Sequence, residues 1–593
     1  MVEAVLKGAP FERLISTSYD GISIEPLTPR HADATPLITR ASAAWQALAR
    51  IDYLDPALAN ECALDELNGG ANGLMLVFEG AVGDHGFALP ANEAALARVL
   101  EGVDLTAGIG VEFDLSPVAA AMIDAALAKG LTSRPGAADL RIGHDPLGAA
   151  ALMSSAPRHW NEEATHFGRR AVALTHAGFG GKLAVADGRI IHNAGGSEAQ
   201  ELAYVLSVGL AYLRAFETQG LALDAARRML FFRLTADADQ FLTIAKFRSL
   251  RKLWARIESA CALAPEAIFI SAETAWRMMT QRDPQTNILR ATIAVFAAAA
   301  GGADAVTVLP FTAARGIPDR FARRIARNTQ LVLSDEAFLG KVADPGAGSG
   351  AVETLTDQLG RAAWTLFQDI ETAGGASAAL ASGFIQNKVA AVRAKRAAAV
   401  AHRKDAVIGA TVFPNLEETE PPVDGAPRPR PDLNGKPLAP VRLAAPFEAL
   451  RDISDRVAKT RGSRPKIFLA NLGTLAECTA RATFAKNFFE AGGIEAVFGE
   501  GDARSFGSEF AAEGTPLACL CSTDAVYERE AAAVASALKT AGAKHIYLAG
   551  RPGDRESALR SAGVQSFIYE GCDALATLRN AYDILGMDIG SEQ

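Results

Sequence analysis

Five side chains able to do acid–base or metal chemistry, Asp114, His144, Asp145, His176 and Glu273, stand at or near the ends of short apolar runs. If those runs are strands whose ends meet on one side of a barrel, the set could hold a divalent metal or pass a proton. No two of the five have a compact ligand spacing such as H-x-H, and polar residues at strand ends also cap the helices that follow. Phosphate loops fail on their residues: "GGK" at 180–182 is followed by Leu183 where a hydroxyl belongs, and "GAGSG" at 346–350 lacks the third glycine of a dinucleotide fingerprint. The close cysteine pair, Cys519 and Cys521, sits in "PLACLCS" with the period of a strand, which predicts buried free thiols. One more stretch, "NLGTLAECTA" from Asn471, follows an apolar run at the place where a doubly wound sheet keeps its ligand. Residues 475–480 of that loop offer neither an imidazole nor a glycine.

The elements that would position these groups can be read from apolar runs. Runs at 74–78, 109–113, 140–144, 172–176, 229–234, 268–272, 306–311 and 406–413 alternate with helical patterns and predict eight covered parallel strands, a (β/α)8 barrel of the TIM type. The helical segment 241–257 supports it, with Phe241, Ile244, Phe247, Leu250 and Trp254 on one stripe. Further on, "KIFLA", "EAVFG", "LACLCS", "HIYLAG" and "SFIYEG" predict a smaller doubly wound domain of flavodoxin-like order. Between the two, nine of the 27 prolines fall from Pro414 to Pro446 and read as a semi-extended linker. The expected domains are an extended arm over 1–45, the barrel over 46–413, the linker over 414–462 and the flavodoxin-like domain over 463–593.

Composition narrows the function. Lys plus Arg total 59 against 68 for Asp plus Glu, and a net charge of -9 opposes nucleic acid and anionic membrane as partners. The longest apolar stretch, from Ala291, is broken by Gly301, Gly302 and Asp304, so no membrane span is expected. "MVEAVLKGAPFERL" shows no secretory signal, which predicts a cytoplasmic protein.

Several stretches resemble the methylmalonyl-CoA mutase family of adenosylcobalamin-dependent isomerases: "TSYDGISIEPL", "QELAYVLSVGLAYLRAFETQGL", "RDPQTNILRATI", "RIARNTQLVLSDE" and "DPGAGSGAVETLTDQL". The resemblance implies an arm, a barrel, a linker and a cobalamin-binding-type domain, in the order read above. Members that hold cobalamin carry D-x-H-x-x-G after the first strand of the last domain, the histidine being the lower ligand of cobalt. The matching positions here are Leu475, Glu477 and Ala480, while Cys521 and Thr523 stand where the family has S-x-L. The barrel's Tyr-His pair is matched by Arg189 and Ile190, with His192 two residues on. In "DPGAGSGAVE", Gly346, Gly350 and Ala351 replace bulky aromatics. Together with "ARIDYLDPALANECALDELNGGANGLML" and "AWRMMTQRDP", this pattern is similar to the non-catalytic small-subunit branch of the family. The resemblance then implies no cofactor, metal or catalytic residue on this chain. A large partner subunit would bind adenosylcobalamin and interconvert (R)-methylmalonyl-CoA and succinyl-CoA, and the arm would wrap that partner. The alternative is a barrel enzyme in its own right, with atypical cobalamin binding or a metal on the strand-end histidines and aspartates.

Overall fold

The computed structural model describes residues 6–37, 44–128, 138–154, 160–499, 501 and 505–588. The chain divides into two compact units. One comprises Met1–Met279, Asn287–Arg393 and Pro421–Arg442; the other comprises Thr280–Thr286, Ala394–Glu420 and Leu443–Gln593.

Eight parallel strands close the barrel of the first unit: β1 Gln46–Ile51, β2 Gly73–Val77, β3 Gly110–Asp114, β4 Leu140–His144, β5 Lys182–Asp187, β6 Leu230–Ala236, β7 Ile270–Thr274 and β8 Ala305–Thr307. The short β8 pairs with both β7 and β1, which removes the sheet edges. Six of these strands lie within or beside the expected runs, and two expectations are overturned. Residues 172–176 are the last turn of the helix Trp160–His176, in which Phe167 and Ala171 turn inward at helical spacing. Residues 406–413 form a compact turn in which the Thr411 N–H donates to the Val407 carbonyl. The strands that take their places are β1 and β5.

The covering helices start where local chemistry satisfies their free N–H groups. Asp145 caps Pro146–Met153, and Ser197 with Gln200 forms a capping box at Glu198–Thr218. The helix Gln240–Ala260 buries Ile244, Phe247, Leu250 and Trp254, but Phe241 in its first turn is exposed. Trp254 meets Phe232 of β6 edge-on at 4.7 Å, so this stripe packs on the barrel wall. The arm contains the short strands Ser16–Thr17 and Ser23–Ile24, and it lies on its own barrel at Asp20, which accepts from Ala199 N–H, and at His31, which donates to Gly348. Within the proline-rich stretch, Val423–Gly425 pairs antiparallel with Ile317–Pro318.

The second unit holds a parallel sheet of five strands, β9 Lys466–Asn471, β10 Glu495–Gly499, β11 Leu517–Cys521, β12 His545–Ala549 and β13 Ser566–Ile568. Their spatial order is β10-β9-β11-β12-β13, the flavodoxin-like order, with its switch point between β9 and β11. Ile467, Leu469, Cys519 and Cys521 face one apolar layer and Phe468, Ala470, Ala518 and Leu520 the other, the alternation of a sheet covered on both faces. Cys519 and Cys521 are buried free thiols.

Candidate functional site

The barrel interior carries charge. β1 supplies Arg50, β3 Glu112 and Asp114, β4 Arg141, β5 Asp187, β6 Arg233 and β7 Glu273, and each of these side chains is almost fully removed from water. Strand register makes Glu112 the neighbour of Arg141 and Asp187 the neighbour of Arg233. Arg141 Nε donates to Glu112 at 3.0 Å, and Arg233 Nε donates to the other Glu112 oxygen at 2.8 Å. Arg233 also reaches Asp187 at 3.0 Å. Arg50 donates to Asp52 at 2.5 Å and to Glu273 at 3.3 Å, and Arg323 completes Asp52 at 2.8 Å.

Arg189, just beyond β5, ties this ladder together. Its guanidinium lies 2.6 Å from Asp187, 2.9 Å from Asp114 and 3.0 Å from Glu273. Burial works against the charge on Arg189, but these three carboxylates outweigh it and raise its pKa well above the usual arginine value. Burial likewise works against the charged form of Asp187, yet Arg189 and Arg233 hold its carboxyl below the ordinary range. Ile190, the next residue, is buried in the apolar core. Arg189 and Ile190 therefore contribute an ion-pair hub and a core side chain.

The strand-end groups do not converge. Asp114 and Glu273 are engaged by Arg189, Asp145 is a helix cap that also accepts from the Tyr212 hydroxyl, and His176 is exposed at the end of a helix. His144 does end β4, facing Asp124. His192 is buried with Nε2 3.1 Å from Asp237, which also accepts from Arg277 at 2.7 Å. Among the described residues no three His, Cys, Asp or Glu side chains gather as a metal site. His85, which sequence reading missed, is stacked on Trp276 with ring centroids 3.8 Å apart. No spacing in the sequence signals that contact.

In the second unit the loops past β9 and β11 are tied to each other, the Ser522 hydroxyl donating to the Leu472 carbonyl at 2.8 Å. Thr474 caps the helix Leu475–Glu490, and the Thr474 N–H and hydroxyl each donate to Glu477 at 2.8 Å. Those bonds lower the Glu477 pKa. Leu475 points away, 81% exposed, and Ala480 and Thr523 are also exposed. Tyr527 bridges the ends of β11 and β12: its hydroxyl accepts from Ser522 N–H and lies 2.9 Å from the carbonyls of Leu520 and Ala549. Arg481 lies over the Tyr527 ring at 5.1 Å, pairs with Asp524 at 2.9 Å and crowds Gly550, where a Cβ would come within 2.6 Å of its Nη1.

Buried histidines shape the response to acid. Burial pushes His144 down to about 4, and burial with Arg277 and Lys246 pushes His192 down to about 3. Unfolded histidines protonate near pH 6.5, so between that pH and the folded values the unfolded chain binds more protons and stability falls as pH drops. Asp145, pushed up to about 7 by burial, acts oppositely and loses its contribution as pH rises. Replacing His144 with Asn removes its share, so the fall in the urea midpoint from pH 7 to pH 5 becomes smaller than in the parent chain. An unchanged fall would contradict the assignment.

A family model described as methylmalonyl-CoA mutase matches residues 77–430. The chain is 41% identical to the methylmalonyl-CoA mutase small subunit of Streptomyces virginiae, over 97% of this chain and 93% of that one. Identity to the small subunit of Propionibacterium freudenreichii subsp. shermanii is 38%, over 76% and 69% of the two chains. To that of Porphyromonas gingivalis it is 30%, over 99% and 96%.

Proposed function

The chain belongs to the methylmalonyl-CoA mutase family, and from that membership we propose that it is the non-catalytic small subunit of a heterodimeric isomerase. Its partner would be a large subunit that binds adenosylcobalamin and the coenzyme A thioester and interconverts (R)-methylmalonyl-CoA and succinyl-CoA. The cofactor, where bound, supplies the radical by homolysis of its cobalt–carbon bond.

The observation that carries this reading is Arg189, held by three carboxylates where a substrate-contacting residue would stand. Asp187 takes the Nε and Nη2 edge of that guanidinium, and the Ile190 side chain has no donor for a thioester carbonyl. The second unit does not offer the residues a corrinoid needs either: Glu477 completes a helix capping box, and Tyr527 with Arg481 covers the ends of β11 and β12. No helix among the described residues is long and apolar enough to cross a membrane. In the arm, Phe11 and Leu14 are exposed, as suits a segment that reaches a partner.

The test is direct. The isolated chain, incubated with adenosylcobalamin and passed through gel filtration, carries no corrinoid absorbance and shows no turnover, whereas co-expression with a large subunit yields a stable, active complex. Corrinoid absorbance retained by the isolated chain, or turnover by it, would overturn the proposal.

A further inference from the structure

Helices Pro117–Ala128, Pro146–Met153 and Trp160–His176 border a cavity of about 650 Å³ near the ends of β3 and β4, a size that suits a small organic molecule. Ala120, Ala121, Ala149, Met153, Trp160 and Phe167 give it an apolar lining. At one end Asp124 pairs with Arg170. Even so, Asp124 Oδ1, Arg170 Nη2 and His144 Nε2 are buried and find no hydrogen-bond partner among the described residues. His144 Nε2 is 3.3 Å from Asp124 Oδ1, without the alignment of a hydrogen bond. Buried polar atoms left this way are costly unless something completes them.

The charges define what can do so. His144 is neutral at physiological pH because burial holds it at about 4, the Asp124 carboxylate pairs with the Arg170 guanidinium, and Glu163 adds a solvent-exposed carboxylate to the lining. An anion or a cation entering would meet a like charge beside its partner. The cluster instead offers an N–H donor next to a carboxylate acceptor, the complement of a neutral group that carries its own acceptor beside its own donor.

We propose that this cavity binds a small, uncharged, planar molecule with such an edge, a carboxamide, lactam or nucleobase, laid against Trp160 and Phe167. The site is independent of the mutase-subunit assignment and does not involve the ion-pair ladder. Titration calorimetry on the full chain with nicotinamide, uracil and adenosine tests it, with nicotinate and 3-picolylamine as charged counterparts. At least one neutral probe binds with Kd at or below about 1 mM, and the charged compounds bind at least tenfold more weakly. Arg170→Met weakens binding at least tenfold. Ala121→Phe, which fills the mouth from an exposed helical position, does the same without lowering the melting temperature. The proposal is overturned if no neutral probe binds below about 10 mM, if the charged compounds bind equally well, or if Ala121→Phe leaves binding unchanged.

Discussion

Arg189→Met destabilises the barrel unit by about 3–5 kcal/mol, the effect of removing one partner from a buried ion pair and leaving the other uncompensated. Three carboxylates face that guanidinium, and none has water to turn to: Asp114, Asp187 and Glu273 are each no more than 2% exposed. All five tryptophans lie in the barrel unit, so their fluorescence during urea unfolding reports on this unit alone. The midpoint shifts to lower urea with Arg189→Met, and less with Arg189→Lys, which keeps the charge but not the planar fork. If Arg189→Met unfolds at the parent midpoint, the ladder does not hold the barrel and the structural reading of this position is wrong.

Tyr527→Ala has a comparable effect on the second unit. Loss of a buried aromatic side chain costs about 3–5 kcal/mol, and here the Ser522 N–H also loses its acceptor. Tyr527→Phe isolates the hydroxyl and costs about 1–3 kcal/mol, the penalty for a buried donor left unsatisfied. Amide hydrogen exchange over 517–521 and 545–549 reads both changes, since the hydroxyl bridges the ends of β11 and β12. Protection lost in the Ala variant and partly lost in the Phe variant is the expected order. Equal protection in all three chains would mean that Tyr527 does not brace the ends of β11 and β12.

The architecture was legible because parallel strands buried on both faces leave apolar runs, and β2, β3, β4, β6 and β7 are such runs. β1 escaped notice because two of its three inward side chains, Gln46 and Arg50, are polar or charged and interrupt "QALARI". Val172 and Leu174 looked like strand residues because five letters cannot separate a period of 2 from one of 3.6. The strand-end acids were visible, but their engagement was not, since Asp114, Glu273 and the adjacent pair Asp187 and Arg189 come from three separate strands and only barrel closure brings them together. A signal was present all the same. "GVEFD", "LRIGH" and "LFFRLTA" each carry charge inside an apolar strand, and such charges of both signs predict pairing across a closed interior.

The self-neutralising ladder also constrains how this sequence can drift. Swapping a buried ion pair for apolar residues of the same volume is often neutral, whereas losing one member alone is severe. Substitutions along the barrel axis should therefore become fixed as compensated couples, Glu112 with Arg141 or Asp187 with Arg233. Related lineages would then inherit this interior in linked steps, even while their helical exteriors diverge one residue at a time.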